Sequence, residues 1–239
     1  MKDLNWFISI CTVNGLRISD DQASLFEKYR TLLLAANSQL NLISRKDEDN
    51  FYPNHALNSI SFLFRKSLIP DADMMDLGTG GGLPGIPVQI IYNREMRVTF
   101  VDSISKKTAA LSEILRELGL RRGRVVNARA EDLSKKGDFQ AHFDYVISRA
   151  AGKLDDVAKW SRGFLKDSGV ASGETIPPGT LIVLKGGAFE EELKHTRSMK
   201  SVASADAVNT TFQGMDEIYN KEKKLVLISY KKAAFRSQN

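Results

Sequence analysis

A strand-length apolar run closing on an acid, "DMMDL" at 73–77, runs straight into "GTGGGLPG" at 78–85, five glycines in eight residues. Glycine at that density marks a turn whose backbone takes conformations barred to other residues and comes close to something else. Strand, glycine turn and helix in succession open a parallel α/β unit with a ligand over the turn. The following residues keep that rhythm. Strands read at 73–77, 97–102, 124–128, 143–148 and 180–184, with helices at about 85–92, 105–119, 153–166 and 187–195. Such alternation builds a parallel sheet with crossover helices. After residue 195 it stops, and "AVNTTF" and "KKLVLISYK" read as a closing antiparallel pair at the sheet edge. Two helical stretches precede the first strand, at 19–40 and at roughly 47–66 with Pro53 in its first turn. The expected organisation is a helical lobe over residues 1–66 and a Rossmann-like sheet domain over 67–239.

The glycine loop formally carries the dinucleotide pattern Gly80-x-Gly82-x-x-Gly85 and also Asp76-x-Gly78-x-Gly80. No Lys-Ser or Lys-Thr follows, so it is not a Walker phosphate loop. Pyrophosphate sites rely on free backbone N–H groups at the helix entry, where Pro84 and Pro87 remove two. Asp76 adds a negative charge at the strand end. Both features oppose a doubly anionic ligand and suit a zwitterion with a sulfonium, S-adenosylmethionine, hence a class I methyltransferase sheet. Asp102 ends the second strand, where a carboxylate accepts ribose hydroxyls. Glu131, in "NARAEDL", follows the third strand toward the adenine end; a solvated loop carboxylate is the plainer alternative.

The acceptor leaves its own marks. Exocyclic amine methylation uses an Asn/Asp-Pro-Pro-aromatic turn after the fourth strand, where this chain has "VISRAAGKL". Pyrimidine-carbon methylation needs a cysteine nucleophile, and the single cysteine, Cys11, is remote from the sheet in sequence. An acceptor with a free lone pair, such as a purine ring nitrogen, remains, and for it positioning and desolvation suffice. Arg149 after the fourth strand and Lys185 after the fifth stand where ligands bind in open α/β sheets. They suit a phosphodiester or guanine O6.

The 34 Lys and Arg against 29 Asp and Glu give a net charge of +5, a mild tilt toward a polyanionic partner. Lys106, Lys107, Arg116, Arg121, Arg122, Arg124 and Arg129 fall in one strand–helix unit, and residues 221–239 form a basic tail. His55, His142 and His195 have no metal-ligand spacing, so no metal is expected. No apolar run approaches the ~20 residues that span a bilayer, and "MKDLNWFISICTVNG" lacks a cleavage site. A cytoplasmic protein without membrane contact, acting as a monomer, is expected. An NAD(P) oxidoreductase, a methyltransferase for small molecules or proteins, and a non-catalytic RNA-binding module are the rival readings.

The ordered set "DLGTGGGLPGIP", "FVDSISKKTAAL", "ARAEDL", "VISRAAGKL" and "LKGG", preceded by "NLISRKDEDNFYPNHALNSI", resembles the small-subunit ribosomal RNA guanine-N7 methyltransferases, also called glucose-inhibited division protein B. The resemblance covers about residues 20–195. It implies methylation of N7 of one guanosine in 16S rRNA beside the decoding centre, with the small ribosomal subunit as partner. It further implies cofactor contacts at Gly78, Leu83, Ala130, Glu131 and Arg149, with Asp102 on the ribose. Asn54 and Asn58 replace a basic residue and an Asp common in that family, and "NKEKKLVLI" replaces an Arg-containing segment. His55 reads first as a packing histidine between lobes and second as an RNA contact.

Overall fold

The computed structural model describes residues 2–149, 151–170, 172–215 and 223–231. The basic tail at 221–239 falls outside them except for residues 223–231, as does Ala150 of "VISRAAGKL". Seven strands form one sheet: β1 (Asp73–Leu77), β2 (Arg97–Asp102), β3 (Gly123–Asn127), β4 (Tyr145–Arg149), β5 (Thr180–Gly186), β6 (Val202–Asn209) and β7 (Lys223–Tyr230), in the order β3-β2-β1-β4-β5-β7-β6. The β1–β5 ladders are parallel, while β7 runs antiparallel to both β5 and β6. The strand order reverses between β1 and β4, the switch point at which open α/β sheets hold ligands beyond their carboxyl ends.

Period-two alternation divides each central strand between two cores. Met74, Tyr145, Ile147 and Ile182 face one layer, and Met75, Leu77, Val146 and Leu181 face the other. Against the first layer pack α1 (Leu4–Val13), α2 (Asp20–Leu40), α4 (Gly85–Ile91) and α5 (Ser105–Leu118), with the short turn α3 (Asn58–Ile60). The second layer holds α6 (Ala130–Leu133), α7 (Leu154–Phe164) and α8 (Glu190–Ser198). Helix α2 begins with a reciprocal capping box between Ser19 and Gln22. The Gln22 amide then donates to the carbonyls of Ile90 and Ile91 at 3.2 and 2.9 Å, satisfying the end of α4. The helical lobe is thus pinned to the sheet by polar contacts as well as by a shared core.

One helix is added to the sequence reading and one expectation changes. The amino terminus is a regular helix, α1, with Asp3 accepting from the Trp6 N–H at 2.9 Å and Phe7, Ile10 and Cys11 buried. The stretch expected as one helix over 47–66 is a broken succession: a 3-10 turn at Arg45–Asn50, a π-helical turn at Phe51–Leu57, α3, and a 3-10 turn at Ser61–Phe64. Pro53 supplies no N–H to a regular ladder. Phe51, Tyr52, His55, Ala56, Leu57 and Ile60 are all buried, and between 51 and 62 only Asn54 and Asn58 reach solvent, too narrow a polar face for an amphipathic helix.

Candidate active site

Strand β1 delivers its last residues to the glycine loop, where the Gly78 and Thr79 N–H groups donate to the Val101 carbonyl at 2.9 and 3.0 Å. The chain turns sharply there because Gly78 holds φ at +73°. A Cβ at Gly78 would lie 2.4 Å from the Ala151 Cβ, so the β4 loop lies directly against it. Helix α4 then starts at Gly85, whose added Cβ would meet Asp76 Oδ2 at 2.7 Å.

Asp76 occupies a different place from the one its sequence position suggested. It is fully buried and lies under the loop, outside the lining of the cavity above it. Its Oδ2 accepts from Thr79 Oγ1 at 2.6 Å and from the Gly85 N–H at 2.9 Å, while Oδ1 has no partner. Burial pushes its pKa up to about 6 against those two donors. Its task is to knit the two ends of the loop together.

Above the loop, at the carboxyl ends of β1 to β4, opens a cavity of about 550 Å³. Gly78, Gly80, Leu83, Asp102, Ala130, Glu131 and Arg149 all line it. Asp102 is preset: its Oδ2 accepts from the Gly80 N–H at 3.0 Å and its Oδ1 from the Ile104 N–H at 2.9 Å. Each oxygen keeps a lone pair for a ligand hydroxyl. Glu131 stands exposed in the first turn of α6, beside Ala130.

Lys185 is the second correction. Its ammonium donates to Glu192 Oε2 at 2.7 Å and to the Gly152 carbonyl at 3.4 Å, and it does not line the cavity. The same Glu192 oxygen accepts from the Leu154 N–H at 2.7 Å, closing the start of α7. Lys185 therefore holds α7 in place, and α7 carries Trp160 to the cavity wall. Trp160 was not singled out from sequence, although a tryptophan on the helix after β4 was a readable signal. Leu42 was missed too, since only the docking of the helical lobe brings it to the opposite wall.

Arg149 joins the two parts of the molecule. Its Nη1 donates to the Asn54 carbonyl at 3.3 Å, and its Nη2 lies 3.2 Å from His55 Nδ1. Burial, reinforced by the Arg149 charge, lowers the His55 pKa to about 4, so the ring is neutral and Nδ1 accepts. His55 Nε2 is buried with no partner. From the same lobe, Tyr29 donates to the Gly81 carbonyl at 2.9 Å and Leu33 rests on Gly81.

These two buried groups give opposite pH dependences. Asp76 binds its proton more tightly folded than unfolded, so its contribution is present below its ordinary value of 3.8 and is lost as pH rises through about 6. His55 contributes fully above 6.5 and loses that as pH falls through about 4. Each slope is about 1.4 kcal/mol per pH unit, so between about pH 4 and 6 they cancel. Asp76→Asn is expected to make stability rise with pH across that window relative to wild type, and His55→Asn to make it fall, each by about 2–3 kcal/mol. Urea unfolding at a series of pH values checks this; parallel curves for all three proteins would contradict it.

Comparison with known proteins agrees with this geometry. The family model described as rRNA small subunit methyltransferase G matches residues 22–226. A ribosomal RNA small subunit methyltransferase G of Porphyromonas gingivalis is 35% identical over 211 residues, covering 88% of each chain. One from Phocaeicola vulgatus is 38% identical over 175 residues, 73% of this chain and 78% of that one. Among solved structures, cofactor-bound Rv0187 from MTB superposes with a TM-score of 0.55 at 18% identity, over 84% of this chain and 88% of that one. The predicted O-methyltransferase Atu636 from Agrobacterium tumefaciens gives 0.50 at 14%, over 75% and 81%. These two likenesses bear on the fold alone, a mostly parallel α/β sheet closed by antiparallel strands. On the family model and the relatives that cover most of its length, the chain belongs to the rRNA small subunit methyltransferase G family.

Proposed function

We propose that the chain methylates N7 of a guanosine in 16S rRNA near the decoding centre, acting in the cytoplasm as a monomer on the small ribosomal subunit. As a member of its family it is a methyltransferase, and its methyl donor is S-adenosylmethionine. In this reading the helical lobe of residues 1–66 closes the acceptor side of a methyltransferase domain formed by residues 67–239. One observation carries it: the cavity has a preset carboxylate, Asp102, on one side and a braced guanidinium, Arg149, on the other.

When bound, S-adenosylmethionine supplies a methyl group on an electrophilic sulfonium. Asp102 would accept hydrogen bonds from its ribose hydroxyls, Gly78, Gly80 and Leu83 would line the glycine-loop side, and Ala130 and Glu131 would flank the adenine. Arg149 donates toward guanine O6, which fixes the N7 lone pair in line with the methyl group. Because the acceptor nitrogen would offer a lone pair already free of a proton, no residue of the chain would be needed to take one up. Leu42, Leu83 and Trp160 keep water from the line of transfer. A thiol route is closed to Cys11, which is buried in α1 with its pKa pushed up to about 12 by burial.

Mass spectrometry of 16S rRNA nucleosides from cells with and without the protein tests this reading. Loss of 7-methylguanosine is expected; an unchanged nucleoside profile would overturn it. Asp102→Ala is expected to weaken S-adenosylmethionine binding by about 1.5–3 kcal/mol, the range for a hydrogen bond to a charged group. Isothermal titration measures it, and unchanged affinity would detach the end of β2 from the ribose.

A further inference from the structure

Two groups of exposed cations near the sheet differ in what holds them. At the amino edge of the sheet they are tied down. Arg97 bonds Asp71 at 2.9 Å and Asp73 at 2.7 Å, and Arg122 pairs with Asp71 and the Glu95 carbonyl. Arg124 donates to Thr99 Oγ1 at 2.9 Å and lies over the Phe139 ring at 5.2 Å. Arg121 has no such partner among the described residues, but it stands next to these at the edge away from the cavity. The arginine cluster that looks most like a nucleic-acid surface in the sequence is largely internal cross-bracing.

At the carboxyl edge the pattern inverts. Lys106 and Lys107 open α5 just after β2, and Arg129 follows β3. Across the cavity, Arg45 and Lys46 follow Leu42 in the helical lobe. Among the described residues none of these five makes an ion pair or a side-chain hydrogen bond. Lys107 and Arg129 line the cavity, as does Leu42, which Arg45 and Lys46 follow closely in the chain. The acids beside Arg45 and Lys46 turn inward: Asp47 accepts from Asn54 at 2.8 Å and Glu48 from Asn37 at 2.6 Å. Asp49, Glu131 and Asp132 remain exposed beside these cations.

We propose that Lys106, Lys107 and Arg129 on one side of the mouth, and Arg45 and Lys46 on the other, hold the phosphate backbone of the RNA flanking the nucleotide that enters the cavity. This rests on the reading of the chain as an RNA methyltransferase. Long cationic side chains with no partner among the described residues are available to phosphates, and contacts of that kind release counterions and show in the salt dependence of binding. Braced arginines have to give up an existing partner first.

The test is fluorescence anisotropy with a labelled stem–loop of small-subunit rRNA, titrated at several salt concentrations. The variant Arg45→Ala, Lys46→Ala, Lys106→Ala leaves the cavity-lining Lys107 and Arg129 intact. It should lower the log–log salt slope by about 2, at roughly 0.7–0.9 per lost contact, and keep wild-type affinity for S-adenosylmethionine. Arg121→Ala, Arg122→Ala, Arg124→Ala removes the same charge from the other edge and should keep the wild-type slope to within about one contact. Equal losses in both variants would mean a diffuse field and overturn the proposal, as would a wild-type slope in the first. A wild-type protein that shows no salt-dependent RNA binding would instead overturn the RNA reading on which the proposal rests.

Discussion

Gly78→Ala is expected to cost about 2–6 kcal/mol of stability and to abolish binding of the methyl donor. Two independent penalties combine at this residue. Its φ of +73° strains any residue with a Cβ, at about 1–3 kcal/mol. The added methyl would also lie 2.4 Å from the Ala151 Cβ and 3.2 Å from its Cα, an overpacking cost of about 1–3 kcal/mol more. Against a typical margin of about 5–15 kcal/mol, that removes a large part of the fold's reserve. Gly119→Ala separates the terms, because Gly119 has φ +67° but nothing within 4 Å of an added Cβ. It should cost about 1 kcal/mol and leave donor affinity intact. Thermal unfolding and calorimetric titration of both variants give the comparison. Equal behaviour of the two would show that the approach of the β4 loop to Gly78 has no consequence.

Arg149→Ala should slow single-turnover methyl transfer by about 10²–10³, the usual scale for losing a group that orients or stabilises the reacting centre. Its two hydrogen bonds to the helical lobe fix the guanidinium at the cavity wall. A lysine cannot fork between the Asn54 carbonyl, the His55 ring and a substrate oxygen, so Arg149→Lys should recover little. The residual rate should be flat from about pH 7 to 9, as should the wild-type rate, because guanine N7 needs no proton removed. His55 does not supply a base: its Nδ1 lone pair is engaged by Arg149 and its pKa of about 4 leaves it neutral throughout. Asp76 titrates near 6 beneath the loop, which sets the lower bound of the flat range. A bell-shaped profile within pH 7–9 would refute the base-free mechanism.

The five parallel strands were legible because each carries its own signal, and their starts fall within two residues of those read from sequence, whereas the strand read at "AVNTTF" begins five residues earlier, at Val202. The strand expected from Phe143 begins at Tyr145, since Phe143 bridges only to Leu165. The ligand-facing ends of β2 to β4 were legible for the same local reason. Asp76 was misplaced although strand parity held the answer. It shares the face of Met74, beneath the first helical layer, while its neighbours Met75 and Leu77 face the other core. Lys185 could not have been assigned from its surroundings in sequence, because Glu192 meets it only after α8 folds back. The same holds for Arg122 and Arg124, whose partners Asp71, Thr99 and Phe139 come from other parts of the chain. Periodicity reports which face a residue takes; it is silent on which distant group arrives there.

The Tyr29 hydroxyl resting on the Gly81 carbonyl makes the floor of the donor site and the surface of α2 one object. Whatever steadies the glycine loop then steadies the docking of that helix, and by thermodynamic reciprocity a firmly docked helix raises the affinity of the loop for its ligand. Amide protons of α2, which touch no ligand, should exchange more slowly once the donor is loaded. Cutting away the first forty residues should loosen the cradle even though its glycines stay in place. A helical segment that reads as an appendage in the sequence thereby becomes the sensor of an occupied site.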